Sequence, residues 1–362
     1  MAYFDSEKEM KNKTKILDCT LRDGSYLNNF QFTKKQTYQI CSKLEKAGVE
    51  IIEVGHGMGL GASRIAKYKA RETDINYGKY ANMALKKSDW GMFCIPGIAN
   101  INDVKLLSDL GASFIRIGSN VENYKIVEPY IKLAKKLNLQ VCTNFMKSYI
   151  FSPNKFSKIA NMAHKMGSDI IYIVDSAGGM TPLELQRYYK HIKKVNKKIK
   201  VGFHGHNNLG FAVANAFKSF ELNFDIVDAS LQGYGRSAGN TAIELLVCAL
   251  KKENIKCNID YIKILDLSEE ILMKFVSSKG IKSIDVVCGM SLFHSSYLPI
   301  IEKYSKLYKV DPRILVYEVS KKNKSEAPEI LVKKITEILK KKNKSGNWKK
   351  IYNHFYINEQ SL

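Results

Sequence analysis

The chain has 362 residues and 45% of them are hydrophobic, so a large core is available and wholesale disorder is excluded. Its 57 Lys and Arg stand against 35 Asp and Glu, a formal charge of +22 that first suggests nucleic acid or an anionic membrane as partner. No apolar run approaches the ~20 residues of a membrane span, and the opening MAYFDSEKEMKNKTK lacks the apolar stretch of a signal peptide.

In chain order, eight short apolar, β-branched runs are predicted as strands: 16–18, 49–55, 90–96, 114–118, 140–145, 170–175, 201–206 and 226–231. Their starts advance from 16 to 226 in seven steps, a mean of 30 residues. One strand–helix unit has about that size. The segments between them have helical period. Residues 33–48 place Tyr38, Cys41, Leu44 and Ala47 at spacing three, with Gly48 as the stop. The pattern recurs over 100–111, and Ser152-Pro153 and Thr181-Pro182 each open a further helix. Eight repeats predict an α/β fold, a (β/α)8 TIM barrel over 16–255. An open doubly wound sheet is the alternative, but the first strand leads into Thr20-Leu-Arg-Asp-Gly24, which is no glycine fingerprint. Beyond 255 the segments 261–279, 294–308, 312–321 and 328–341 read as helices. They predict an appended C-terminal helical domain over 256–345, with tails at 1–15 and 346–362.

The seven cysteines are odd in number and form no CxxC pair, so they read as buried free thiols in a reducing, cytoplasmic setting. The Lys-rich stretches 190–200 and 321–350 carry apolar residues at helical spacing, the mark of solvated faces on packed helices. No nucleic-acid recognition motif accompanies them. A basic nucleic-acid-binding protein without catalysis is therefore the weaker reading. An electropositive surface instead favours anionic substrates, such as 2-oxo acids or phosphorylated aldehydes.

In a barrel of this kind chemistry sits where the strands end. Arg22-Asp23 follow the first strand, Asp175-Ser176 the sixth, His204-Gly-His206 the seventh, and Gly233-Tyr-Gly-Arg-Ser-Ala-Gly-Asn240 the eighth. Alternate residues of a strand project to one side, so His204 and His206 can face one metal ion. Asp23, expected from a neighbouring strand, can add a carboxylate. Two imidazoles and a carboxylate suit Mn2+, Co2+ or Zn2+. Two solvent-exposed histidines are the bland alternative.

Five motifs also carry a resemblance: Asp18-Cys-Thr-Leu-Arg-Asp-Gly24, Glu53-Val-Gly-His-Gly-Met-Gly-Leu-Gly-Ala-Ser63, Val174-Asp-Ser-Ala-Gly178, the stretch from Gly202 to Ala216, and that from Asp228 to Asn240. In this order they resemble the DRE-TIM metallolyase superfamily, and within it the 4-hydroxy-2-oxovalerate aldolase family of class II pyruvate aldolases. The resemblance runs from about residue 15 to about 335. It implies a carbon–carbon lyase that uses a divalent metal, Mn2+ first and Mg2+, Co2+ or Zn2+ otherwise, on pyruvate and an aldehyde. It implies Asp23, His204 and His206 as metal ligands, with Asn240 where lyase and synthase relatives place a fourth. It implies that Arg22 stabilises the pyruvate enolate, that Glu53 orients Arg22, and that Ser176 holds the substrate carboxylate. The alternative for Arg22 is a structural salt bridge to Glu53 or Asp23.

Two departures from that family stand out. Where the family has a histidine as base for the C4 hydroxyl, this chain has Tyr26; where the family has a C-terminal active-site tyrosine, this chain has His294. The exchange suggests His294, with Tyr26, as the base. The alternative is that His294 caps its helix and Tyr26 shapes the pocket. Met58 stands where relatives carry aspartate, which suggests a changed substrate. His56 reads as a packing or hydrogen-bonding residue. A Claisen-type condensing enzyme or acyl-CoA lyase, similar to 2-isopropylmalate synthase, is the competing activity. The family also implies a homo-oligomer and an aldehyde dehydrogenase partner, docked on the domain in which His294 departs from the pattern.

Overall fold

The computed structural model describes residues 13–268 and 283–341. Eight parallel strands close in sequence order into one barrel. They are β1 (Lys15–Asp18), β2 (Ile51–Val54), β3 (Asp89–Cys94), β4 (Phe114–Asn120), β5 (Gln140–Met146), β6 (Ile170–Asp175), β7 (Lys200–Gly205) and β8 (Ile226–Ala229). Residues 15–18 of β1 lie opposite 226–229 of β8, and this pairing closes the ring. Helices follow the strands: α1 (Lys34–Lys46), α2 (Asp74–Ala84), α3 (Ile101–Asp109), α4 (Glu128–Lys136), α5 (Pro153–Lys165), α6 (Pro182–Val195), α7 (Ala212–Glu221) and α8 (Ile243–Lys252). All eight predicted strands and the barrel are present.

The strands are apolar almost throughout because both their faces are covered. Leu17, Ile51, Phe114, Cys142, Tyr172 and Ile226 fill the barrel interior. The outer face packs on the helices through one continuous apolar layer. Local chemistry sets the helix starts. Thr33 and Gln36 form a reciprocal capping box on α1, and Ser152 and Thr181 cap α5 and α6, each with proline in the first turn. The buried face of α1 differs from the expectation. Thr37, Ile40, Cys41 and Leu44 are buried, whereas Tyr38 is exposed. A strict spacing of three falls short of the 3.6-residue turn, so the row drifts off the buried face.

α9 (Tyr261–Leu267) stays with the barrel, since Ile264 and Leu267 join its apolar layer. The predicted helix over 261–279 continues past 268 into residues outside the described set, as do the tails apart from 13–15. A second apolar core, including Ile284, Phe293, Ile301, Val316 and Val332, is built by α10 (Ser283–Ser291), α11 (Leu298–Tyr308), α12 (Pro312–Ser320) and α13 (Glu329–Lys341). α10 was not foreseen. The predicted 294–308 helix begins as a 3-10 turn, Ser295–Tyr297, before α11. All seven cysteines are free; five are buried, while Cys248 and Cys257 are half-buried rather than buried as expected. Among the described residues no helix is long and apolar enough to cross a membrane.

Candidate active site

A cavity of about 620 Å3 opens where the strands end, and residues 294–299 from the C-terminal helices also line it. β1 stops at Asp18, earlier than the Arg22-Asp23 end that the sequence suggested. The amides of Arg22, Asp23 and Gly24 then converge on the Cys19 carbonyl at 3.1, 2.9 and 3.4 Å. This tight turn carries Arg22 and Asp23 over the barrel mouth. Ligand atoms of Asp23, His204 and His206 lie within 4.8 Å of one another, and all three residues are buried. The histidines are therefore not solvent-exposed. β8 stands between β1 and β7, so Asp23 reaches them across one strand and not from an adjacent one.

The imidazoles are oriented from behind. His204 Nδ1 lies 2.7 Å from Asp228 Oδ2, and His206 Nδ1 lies 3.3 Å from the Gly239 carbonyl. Engaging Nδ1 leaves Nε2 to serve as the ligand atom. Burial pushes the His206 imidazole down to about 3 against the opposing pull of Asp23, so the ring is neutral, as a ligand must be. Burial disfavours the Asp23 carboxylate, but Arg22 and the two histidines hold it well below the usual range. Asn240 donates from Nδ2 to Asp23 Oδ2 at 2.9 Å, while its buried Oδ1 has no protein partner. Gly235 permits this approach, because a Cβ there would lie 2.3 Å from Asn240 Nδ2. Two imidazoles, a carboxylate and an unpaired amide oxygen are a donor set that fits a divalent transition metal.

Arg22 sits beside this set. Its Nη1 lies 2.6 Å from Asp23 Oδ1 and its Nε 2.7 Å from Glu53 Oε2. Burial alone would lower its pKa, but Glu53 and Asp23 outweigh that and keep the guanidinium charged. Both salt bridges offered as the alternative role of Arg22 thus exist, in a side chain that also lines the cavity. The chain of charges goes further. Arg116 Nη1 reaches Glu53 Oε2 at 2.6 Å, and its Nη2 donates to Asp228 Oδ2, the oxygen that also holds His204. Burial opposes the Asp228 charge, yet Arg116 and His204 hold its carboxyl below the usual value. Arg116 and Asp228 were missed as site residues. The available signal was one arginine in the otherwise apolar run Phe114-Ile-Arg-Ile117.

Ser176 lines the cavity and accepts the Lys147 amide at 3.0 Å. Tyr26 and His294 line it too, with Arg236 between them: Arg236 Cζ is 5.6 Å from the Tyr26 ring centroid and its Nη2 is 2.9 Å from His294 Nδ1. His294 also caps its 3-10 turn, accepting the Ser296 amide at 3.3 Å. Burial, and then Arg236 and Lys147, hold its imidazole well below the usual range. Met58 lines the same cavity. His56 is fixed instead by Tyr68 O at 2.8 Å and the Met58 amide at 3.0 Å, and it stacks on Phe30.

Residues 13–271 match the family described as HMGL-like. The chain belongs to the HMGL-like family. The 4-hydroxy-2-oxovalerate aldolase of Carboxydothermus hydrogenoformans is 32% identical over 92% of this chain and 100% of that one. That of Pelotomaculum thermopropionicum is 34% identical over 85% and 91%. An oxaloacetate decarboxylase of Mycobacterium tuberculosis is 34% identical over 76% and 81%. Among solved structures, the carboxyl transferase domain of Rhizobium etli pyruvate carboxylase superposes with a TM-score of 0.74 at 13% identity, covering 92% of this chain and 61% of that one. At that identity the likeness speaks for the fold alone. The family places this chain among carbon–carbon lyases.

Proposed function

We propose that the protein is a divalent-metal-dependent pyruvate aldolase, cleaving or forming a 4-hydroxy-2-oxo acid from pyruvate and an aldehyde. The observation that carries this is a charged, buried Arg22 held against Asp23, itself grouped with His204 and His206. Held by Asp23, His204 and His206, with Asn240 Oδ1 as a further donor, the metal supplies Lewis acidity toward the 2-oxo group.

The chain's own residues do the rest. Ser176 holds the substrate carboxylate. Glu53 and Asp23 fix the Arg22 fork so that its donors meet the oxyanion that develops on the 2-oxo oxygen. His294, neutral and paired with Tyr26 across Arg236, takes the C4 hydroxyl proton. The O–H electrons form the aldehyde carbonyl, and the C3–C4 electrons pass to the enolate. The aldehyde leaves, and C3 takes a proton to give pyruvate. Synthesis is the reverse.

The oxaloacetate decarboxylase relative motivates a second reading. Decarboxylation of oxaloacetate passes through the same enolate but needs no base at a C4 hydroxyl. Incubation in Mn2+ with pyruvate and aldehydes, with pyruvate and acetyl-CoA, or with oxaloacetate alone tests the proposal. Aldehyde-dependent consumption of pyruvate supports it. Consumption only with acetyl-CoA, or activity confined to oxaloacetate, overturns it.

A further inference from the structure

Resting on the aldolase reading, we propose that the aldehyde carries an anionic group, a carboxylate or a phosphate, and that Lys147 and Arg236 bind it. Both side chains line the cavity, Lys147 from the end of β5 and Arg236 from the loop after β8.

Lys147 is an unusual residue to bury. Only 3% of it is exposed, and its φ of 58° places it in the left-handed region. Its Nζ donates to Tyr297 Oη at 2.6 Å and to the Ser325 carbonyl at 2.8 Å. Both acceptors are uncharged. An ammonium has three donors, so one remains. Among the described residues no carboxylate pairs with it directly; Glu122 and Glu326 draw on it through space, and burial pushes its pKa below the usual lysine value. A buried cation without a counter-ion is costly unless something supplies the opposite charge.

Arg236 is also without a carboxylate partner for its guanidinium among the described residues. The group lies over Tyr26 and against His294, while only the backbone amide reaches Asp23 Oδ2, at 3.3 Å. Arg22 contrasts with both, since Asp23 and Glu53 neutralise it. Asp285 lines the cavity as well, where its carboxylate accepts from Ser237 Oγ at 3.1 Å. Lys147 and Arg236 act on each other through space, and both act on His294. A small neutral aldehyde has no group for two such cations. An anionic tail does, and charge-assisted contacts to Arg and Lys are the strong ones. The 620 Å3 cavity has room for such a tail beyond pyruvate, lying within the roughly 300–1,000 Å3 of pockets that take larger ligands.

The test compares aldol addition to pyruvate, with Mn2+, for two matched pairs: succinic semialdehyde against butanal, and glyceraldehyde 3-phosphate against glyceraldehyde. The expected result is a kcat/KM at least about tenfold higher for the charged member of one pair, the size of one charge-assisted contact. Which pair responds distinguishes carboxylate from phosphate. In Lys147→Met and Arg236→Gln the ratio should fall toward one. The ratio is internal to each variant, so partial loss of folded protein cancels. Exchange of the pyruvate C3 hydrogens in D2O, without aldehyde, reads enolate formation separately. Exchange with a ratio near one for both pairs overturns the anionic subsite alone. So does a high ratio that survives in both variants. Absence of exchange overturns the aldolase reading, and the subsite falls with it.

Discussion

Asp228→Asn removes one negative charge with no change of volume, so packing is preserved and any loss is electrostatic. Asp228 is buried, and its Oδ2 holds both Arg116 Nη2 and His204 Nδ1. The amide leaves Arg116 with Glu53 as its one carboxylate, and Glu53 Oε2 is already shared with Arg22. Breaking a buried ion pair costs about 3–5 kcal/mol, and the retained carbonyl acceptor places this case near the lower end, about 3 kcal/mol. The same change loosens His204 and makes the site less negative. Both effects weaken cation binding, by about 10–100-fold for loss of such a supporting contact. Urea unfolding without metal reads the first effect, and Mn2+ titration reads the second. A variant that loses under 1 kcal/mol and binds Mn2+ as the wild type does would refute the reasoning.

Chelation should abolish aldol turnover, with Mn2+ restoring it, and Mn2+ at 100 times its Kd should raise stability by about 2.7 kcal/mol; a thermal midpoint that ignores Mn2+ in the wild type contradicts the ligand assignment, and His206→Ala should remove the shift. His294→Ala should lower aldol cleavage by about 100-fold or more, and undiminished turnover removes His294 as the base. Burial pushes the Asp18 carboxyl up to about 7 against its hydrogen bonds from Thr20. Because the folded value lies above the unfolded one, this group's contribution to stability is full below about pH 4 and is lost as pH rises to about 7. Between pH 5 and 8, the unfolding free energy of the wild type, read by urea denaturation, should fall by up to about 3 kcal/mol more than that of Asp18→Asn; equal declines would contradict the assignment.

The barrel was legible because each strand is a short apolar run and each helix keeps its period, so the repeat of about 30 residues reports the fold directly. The His-Gly-His spacing and Arg22-Asp23 were legible for a similar reason, as polar residues at or just beyond the ends of apolar strands. What escaped was interaction at long range. Arg116 and Asp228 are 112 residues apart and meet only because the barrel closes. A charged residue within a strand gives no sign of whether it points to solvent or into the barrel mouth. Tyr38 was misplaced because a spacing of three imitates, without matching, a helical face. His294 illustrates a different limit: it caps its 3-10 turn and also lines the cavity, and one residue type at one position carries no sign of which of these contacts matters.

A crystal soaked with pyruvate and Mn2+ tests the central claim most directly. The account predicts Mn2+ held by Asp23, His204 and His206, the pyruvate 2-oxo oxygen within hydrogen-bond reach of Arg22, and its methyl carbon facing the side of the cavity that holds His294. Mn2+ bound elsewhere, or pyruvate seated away from Arg22, would contradict it.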